Sequence, residues 1–243
     1  MNIALIGYGK MGKEIERLAT ERNISILARI DVQSSAVRDD VLKKIDVAIH
    51  FATPATVLKH VQEWAGKKIN LVVGTTGWHN ELDKVRAIVE QEQTGLVHAS
   101  NFSIGVNVFN YLLRHAGKAF NKFPEYDVAI DETHHKDKID SPSGTALTIA
   151  SILLKTIDRK KEILTTPPER TAEPHQLRVA SARVGSVVGT HRVAFDSAAD
   201  QIELIHTAKN RSGFALGALL AAEWVRGKKG VFTMEDVLGD VLR

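Results

Sequence analysis

Short apolar runs alternate with amphipathic stretches along the first hundred residues. Asn2–Ile6 is an unbroken apolar run followed by Gly7, Tyr8, Gly9, Lys10, Met11 and Gly12. Met11, Ile15, Leu18 and Ala19 then recur at helical spacing to about Arg22, which predicts strand, glycine turn and helix in that order. A second strand is expected over 24–30, ending at Asp31, with further strands over 46–51, Asn70–Val73 and 96–99. Helices are expected between them over 55–64 and 81–92. Strands that alternate with helices argue for a doubly wound parallel sheet.

The pattern changes after Asn101. A helix is predicted over 106–119, a strand over 126–132 and a helix over 143–155. The polar, proline-bearing stretch 165–173 reads as a loop. Gln176–Arg183, 186–195 and 201–207 read as β segments with antiparallel-type connections, Gly185 and residues 197–200 being the turns. Residues 214–225 and the tail 231–242 return to helical periodicity, with Thr233 and Asp236 as an N-terminal cap. The expected organisation is a first domain over 1–103, on which 213–243 packs back, and a second over 104–212. The second is an α+β domain built on a mixed β-sheet. Neither repeats nor low-complexity segments stand out.

Composition narrows the function. The chain has 243 residues, 44% apolar and 25% charged, and no apolar run approaches the ~20 residues that span a bilayer. The N-terminal apolar run ends in a glycine turn, not a cleavage site, so no signal peptide is expected. There are no cysteines, which removes disulfides and thiolate chemistry and is compatible with the cytoplasm. A net charge of +3, with bases dispersed among acids, gives little support for nucleic-acid binding.

Two segments carry chemistry. The glycine turn sits between a strand and a helix, and Asp31 lies about 20 residues beyond it. This is the context in which a Rossmann-like fold holds pyrophosphate at a helix N-terminus and the ribose hydroxyls on an acid. Three loops fall at the carboxyl ends of predicted strands: Ala52-Thr53-Pro54, Gly74-Thr75-Thr76-Gly77, and Ser100-Asn101-Phe102. Each alone is ordinary turn chemistry, but on one edge they form walls for a nicotinamide. The other segment is His134–Ala146, HHKDKIDSPSGTA. It puts two imidazoles and two ammonium groups ahead of a Ser143-Gly144-Thr145 turn that opens a helix, an anion site with proton donors beside it.

Read together, the chain resembles the dihydrodipicolinate reductase family over nearly its whole length. The resemblance rests on GYGKMG (7–12), GTTG (74–77), ASNFSIGVN (99–107), ETHHKDKIDSPSGTA (132–146), RVGSVVGTH (183–191) and IELIHTAKNR (202–211). It implies a homotetrameric cytoplasmic enzyme that uses NADH or NADPH to reduce 4-hydroxy-tetrahydrodipicolinate to tetrahydrodipicolinate in lysine and diaminopimelate biosynthesis. Carried onto matching positions, it makes His134 and Lys138 the proton-transfer residues, His135 a substrate contact, and Gly144 and Thr145, with Ser143, the carboxylate cradle. Gly7–Gly12, Asp31, Gly74, Thr75, Thr76, Ala99, Ser100, Asn101 and Phe102 would line the cofactor. The glycine turn is one residue shorter than the GxxGxxG form of some members. Val32 follows Asp31 where NADPH-using members can place a base, so NADH is the expected preference.

Blander assignments stand beside these. His134 and His135 lack a carboxylate at ligand spacing, so no metal is expected. Lys136 and Asp137 read as a solvated pair, His50 as a hydrogen-bonded core residue, and His79 and His115 as surface. Trp64, Trp78 and Trp224 read as core or interface, and Arg211 as either a ligand contact or a salt-bridge partner. Aspartate or homoserine dehydrogenases share the architecture but need a different second block. A non-catalytic dinucleotide sensor would not need His134, His135 and Lys138 together.

Overall fold

The computed structural model describes residues 1–31, 37–165 and 172–241. Two compact units emerge, one made of 1–107 with 211–243 and the other of 108–210.

In the first unit, β1 (Asn2–Ile6), α1 (Lys10–Glu21), β2 (Ser25–Ile30), the short α2 (Asp39–Leu42), β3 (Val47–His50), α3 (Val57–Gly66), β4 (Asn70–Val73), α4 (Leu82–Glu92) and β5 (Gly95–His98) alternate as the hydropathy pattern requires. α5 (Ile104–Phe120) follows, and its first turn closes the unit's N-terminal segment. The chain later returns with α7 (Ser212–Val225), β11 (Gly230–Thr233) and α8 (Met234–Val241). The sheet order is β11-β5-β4-β3-β1-β2, and every pairing is parallel. All four residues of β3 are buried, as are the last four of β1. Helices cover both faces of such a sheet, which explains why the strands read as continuous apolar runs instead of alternating ones. One side of this core holds Trp64, Val61, Leu71, Trp78, Val85 and Leu96.

Two expectations are corrected here. Residues 231–233 form a strand, not helix: β11 pairs with β5, and the Gly230 N–H donates to Thr94 O at 2.8 Å. The sheet edge supplies its partner from a distance of more than a hundred residues, which local periodicity cannot register. Helix α3 begins at Val57, because Pro54–Thr56 forms a single tight turn of 3-10 type.

In the second unit, β6 (Asp127–His134), α6 (Gly144–Thr156), the short β7 (Glu162–Leu164), β8 (Gln176–Arg183), β9 (Gly189–Asp196) and β10 (Gln201–Ala208) form a mixed sheet in the order β10-β9-β6-β8-β7. Neither β7 nor α2 was expected. β9 and β10 form the antiparallel hairpin expected around 197–200. The Gly185 segment does not close a hairpin, because β6 lies between β8 and β9, parallel to one and antiparallel to the other. Residues 184–188 therefore cross over the C-terminal end of β6, where Val184 N–H donates to His134 O and Lys136 N–H to Gly185 O. β6 buries alternate residues, Val128, Ile130, Glu132 and His134. The first two join Leu113, Ile149, Leu153, Val179 and Phe195 in the core. The expected loop 165–173 lies largely outside the described residues, as do Val32, Leu242 and Arg243.

Candidate active site

The strand period of two brings the chemistry of the second unit together. Glu132 and His134 are two apart on β6 and so face the same side. His191 on β9 pairs in register with Glu132. All three are buried, at 2%, 8% and 4% exposure. Glu132 is the hub: its Oε1 accepts from Ser143 N–H at 2.9 Å and from Arg183 Nη2 at 2.9 Å. Its Oε2 lies 3.0 Å from His134 Nδ1 and 3.8 Å from His191 Nε2. Burial alone would raise the Glu132 pKa, but hydrogen bonds from Ser143, Ser181 and Arg183 outweigh it and hold the carboxyl at about 2. Burial lowers His134, an effect the Glu132 charge opposes. Burial, then the neighbouring His134, lowers His191 to about 4. At neutral pH the cluster is an anion flanked by two neutral imidazoles and a guanidinium.

Arg183 also donates from Nε to Lys138 O at 3.3 Å and from Nη2 to Asp140 O, pinning the 135–140 loop to the hub. Lys138 Nζ pairs with Asp140 Oδ1 at 2.6 Å, while Lys136 and Asp137 are exposed. His135 is half-buried, and its carbonyl accepts from Lys138 N–H.

The anion turn is built differently from the expectation. Ser143 is the N-cap of α6, and its hydroxyl accepts from Ala146 N–H at 3.1 Å. Because its own N–H is committed to Glu132 and its side chain is 2% exposed, Ser143 shapes the turn and offers no donor to a ligand. Gly144 begins the helix, and a Cβ added there would meet nothing within 4 Å. That places Gly144 and Thr145 at an open helix N-terminus, where backbone N–H groups and the helix dipole favour an anion.

Glu132, Arg183 and His191 were assigned no role from sequence, and the expectation that no carboxylate stands at ligand spacing from His134 is corrected. One was legible as a polar residue two positions before His134 in a predicted strand. Glu132, His134 and His191 each bring a potential ligand atom to within 4.8 Å of the others. The donor set fits a metal poorly: one carboxylate oxygen is already taken by a guanidinium and an amide, and that guanidinium is the carboxylate's counter-charge.

In the first unit the strand order places the loops after β1, β3, β4 and β5 along the carboxyl edge of one sheet, with β2 and β3 on opposite sides of β1. Such a switch point is where nucleotides bind in this architecture. Gly7 has φ +90°, and a Cβ on it would lie 2.2 Å from Phe51 O. Gly12 packs α1 against the turn, with a Cβ position 2.6 Å from Gly7 O. A Cβ on Gly9 would meet nothing, no side chain caps α1, and no acid occupies its first turn. These residues fit a nucleotide pyrophosphate: the cradle is open on the side of the helix amides, beside Lys10 and half-buried Met11. Gly7 N–H donates to Ile30 O at 2.8 Å, which holds the exposed Asp31 next to the turn.

Around the other walls, Thr75 Oγ1 accepts from Ala52 N–H at 3.0 Å and lies 2.8 Å from His50 Nδ1. His50 Nε2 in turn lies 3.0 Å from His60 Nδ1. This network ties two pocket loops together, and burial lowers His50 to about 4. A Cβ on Gly74 would strike the Phe51 ring, and Thr76 is exposed. Ala99 and Ser100 line the same edge, and Asn101 Oδ1 accepts from Ser103 N–H at 2.8 Å. The Phe102 side chain is 2% exposed and edge-on to Phe51 at 6.0 Å, so its ring belongs to the core and not to a pocket wall. Tyr8 OH bonds Glu16, and Arg29 pairs with the same carboxylate.

The N-terminal family profile described as dihydrodipicolinate reductase matches residues 1–102, and its C-terminal counterpart matches 105–238. The chain belongs to the dihydrodipicolinate reductase family. It is 40% identical over 245 aligned positions to the 4-hydroxy-tetrahydrodipicolinate reductase of Christiangramia forsetii, covering all of both chains. It is 35% identical to that of Neisseria meningitidis serogroup C, over 92% of this chain and 84% of the relative. Among solved structures, a dipicolinate-bound dihydrodipicolinate reductase from Paenisporosarcina sp. TG-14 superposes with TM-score 0.77 at 24% identity, covering 96% of this chain and 97% of that one. A C. glutamicum DAP dehydrogenase in complex with DAP gives TM-score 0.58 at 14% identity over 100% and 95%. The wider dehydrogenase fold is therefore shared outside the reductase family.

Proposed function

We infer that this chain catalyses the nicotinamide-dependent reduction of 4-hydroxy-tetrahydrodipicolinate to tetrahydrodipicolinate in lysine and diaminopimelate biosynthesis. The observation that carries the chemistry is the juxtaposition of His134, on its buried carboxylate, with the open Gly144 turn at the head of α6. The bound nicotinamide supplies a hydride. The chain's own residues hold the dianion and move the proton. Gly144 and Thr145 amides receive one carboxylate, while His135 and Lys138 neutralise the rest. Lys138 delivers the proton from Nζ, or His134 delivers it from Nε2 after taking one up as the imidazolium. A relative of the same fold was solved with dipicolinate, which makes that planar dicarboxylate the natural binding probe. Oxidation of NADH or NADPH at 340 nm, with and without the cyclic substrate, tests the assignment. Substrate-independent oxidation, or none at all, overturns it.

The finer assignments belong to the same proposal. Gly7, Tyr8, Gly9, Lys10, Met11, Gly12, Asp31, Gly74, Thr75, Thr76, Ala99, Ser100 and Asn101 form the cofactor edge. NADH is the preferred cofactor: Arg29 and Arg38, the bases best placed to offset Asp31 against a 2′-phosphate, pair with Glu16 and Asp40. A cytoplasmic homotetramer is proposed from the family and from the uncovered sheet face of the second unit. Ala129, Asp131, Ala180, Thr190, Arg192 and Ile205 share that face, and Ile205 is 57% exposed. A second copy of this chain would cover it, and light scattering would give the mass.

A further inference from the structure

We propose that Glu132 is a positioning residue for this reaction, holding the His134 imidazole through Nδ1 with one carboxylate oxygen and the substrate-binding turn through the Ser143 amide with the other. The proposal rests on the reductase assignment and deepens it. Three observations carry it. First, Glu132 is a fully buried carboxylate with no solvent to satisfy it, and its two oxygens do separate work. Oε1 takes Ser143 N–H and Arg183, both at 2.9 Å, whereas Oε2 has no hydrogen bond and stands 3.0 Å from His134 Nδ1. Second, His134 Nδ1 is itself buried with no other partner. The two unsatisfied atoms lie within reach but off line, and a small ring rotation joins them, as catalytic hydrogen bonds tighten when a ligand arrives. Third, Gly189 leaves the opposite edge of the ring clear: a Cβ there would approach His134 Nε2 to 3.0 Å. The imidazole thus has a carboxylate at Nδ1 and the clearance of a glycine beside Nε2.

The chemistry of this arrangement is specific. A carboxylate at Nδ1 selects the tautomer with the proton on Nδ1 and leaves Nε2 to exchange protons with a substrate; it also stabilises the imidazolium. Because the other oxygen anchors the first residue of the anion turn, one side chain sets the position of the proton donor relative to the carboxylate cradle. The charged and titratable groups facing His134 are Glu132 on its own strand, Arg183 on β8, His191 on β9, and Lys138 and Asp140 on the loop. Of the two carboxylates, only Glu132 is in contact with the ring nitrogen.

The test uses the full-length enzyme. Wild type is first assayed with substrate and NADH; inactivity there overturns the reductase assignment and leaves Glu132 untested by kinetics alone, so histidine 15N–1H NMR is recorded on the same sample. Resonances are assigned by their loss in His134→Gln. The expected wild-type spectrum has neutral His134 protonated on Nδ1, and protonation on Nε2 overturns the proposal whether or not the enzyme is active. Glu132→Gln keeps the shape and an acceptor for Ser143 but removes the charge. In that variant kcat is expected to fall roughly 10- to 100-fold, the scale of misplacing a reacting group by about an ångström. The basic limb of the kcat–pH profile should move about one unit toward acid, because the imidazolium loses its counter-charge. The NADH Kd should stay unchanged. An unaltered pH profile and kcat in an active, folded variant would show that Glu132 serves only the fold.

Discussion

At the scale of single residues, the reaction divides into groups that touch ligands and groups that hold them. His134 and Lys138 are expected to be the former. His134→Gln and Lys138→Ala should each lower kcat by ~10²–10⁴, the usual contribution of a general acid or base, and leave NADH affinity unchanged, since neither lies in the unit proposed to bind the nucleotide. A rise in KM for Lys138→Ala with kcat intact would make Lys138 a binding cation only. Its ion pair with Asp140 gives that alternative a concrete form, since Asp140 already competes for the ammonium. Asp31 is expected to govern cofactor choice in the same residue-level way. A carboxylate beside the ribose accepts its hydroxyls and repels a 2′-phosphate. Fluorescence titration should show NADH bound about tenfold more tightly than NADPH at physiological salt. Asp31→Ser should shrink or invert that ratio, and tighter NADPH binding to the unmodified protein would count against Asp31 as its determinant.

At the scale of elements, two helix N-termini are proposed to do similar work with different devices. α1 has no side-chain cap and a glycine at its N-cap, which leaves its amides facing open space. α6 is capped by Ser143, and the free approach is displaced one residue onward to Gly144. The two sites should therefore respond separately. A Cβ at Gly144 meets nothing within 4 Å, so the fold of Gly144→Val should hold, while the added side chain would stand in the proposed path of the ligand. Calorimetry with pyridine-2,6-dicarboxylate should detect no binding to this variant while NADH titrates normally. Retained dicarboxylate affinity would move the site away from α6.

The molecule as a whole couples stability to pH through histidines buried as neutral rings. His50 in one unit and His191 in the other fall from an ordinary 6.5 to about 4, both chiefly by burial. A depressed histidine pKa means the unfolded chain binds more protons between those values. Their stabilising contribution is thus complete above pH 6.5 and is lost as pH falls toward 4, by roughly 2–3 kcal/mol for each ring at 1.36 kcal/mol per unit. Below pH 4.5, protonation of Glu132 adds to the loss, since its folded value is about 2. Urea midpoints at pH 7.5, 5.5 and 4.5 should fall in that order, most steeply between the last two. A flat profile down to pH 4.5 would mean that these rings are solvated in the folded state.

The alternating architecture, the glycine turn with Asp31 after it, and the helix start at Ser143-Gly144 were legible in the chain's local pattern. Each of these depends on neighbours within about thirty residues, where periodicity and turn chemistry are decisive. That pattern did not determine β11, whose pairing partner β5 is remote in the chain, nor the crossing of 184–188 over β6, which local turn signals at Gly185 made look like a hairpin. Ser143 was legible as part of the turn, but that its N–H is already committed was not, because the acceptor is Glu132 on β6. The hub of the candidate site was decided by tertiary structure alone. Glu132, His134, Arg183 and His191 come from three strands, and only the β9-β6-β8 order brings them together. Strand order reflects long-range burial and hydrogen bonding, which no local pattern encodes.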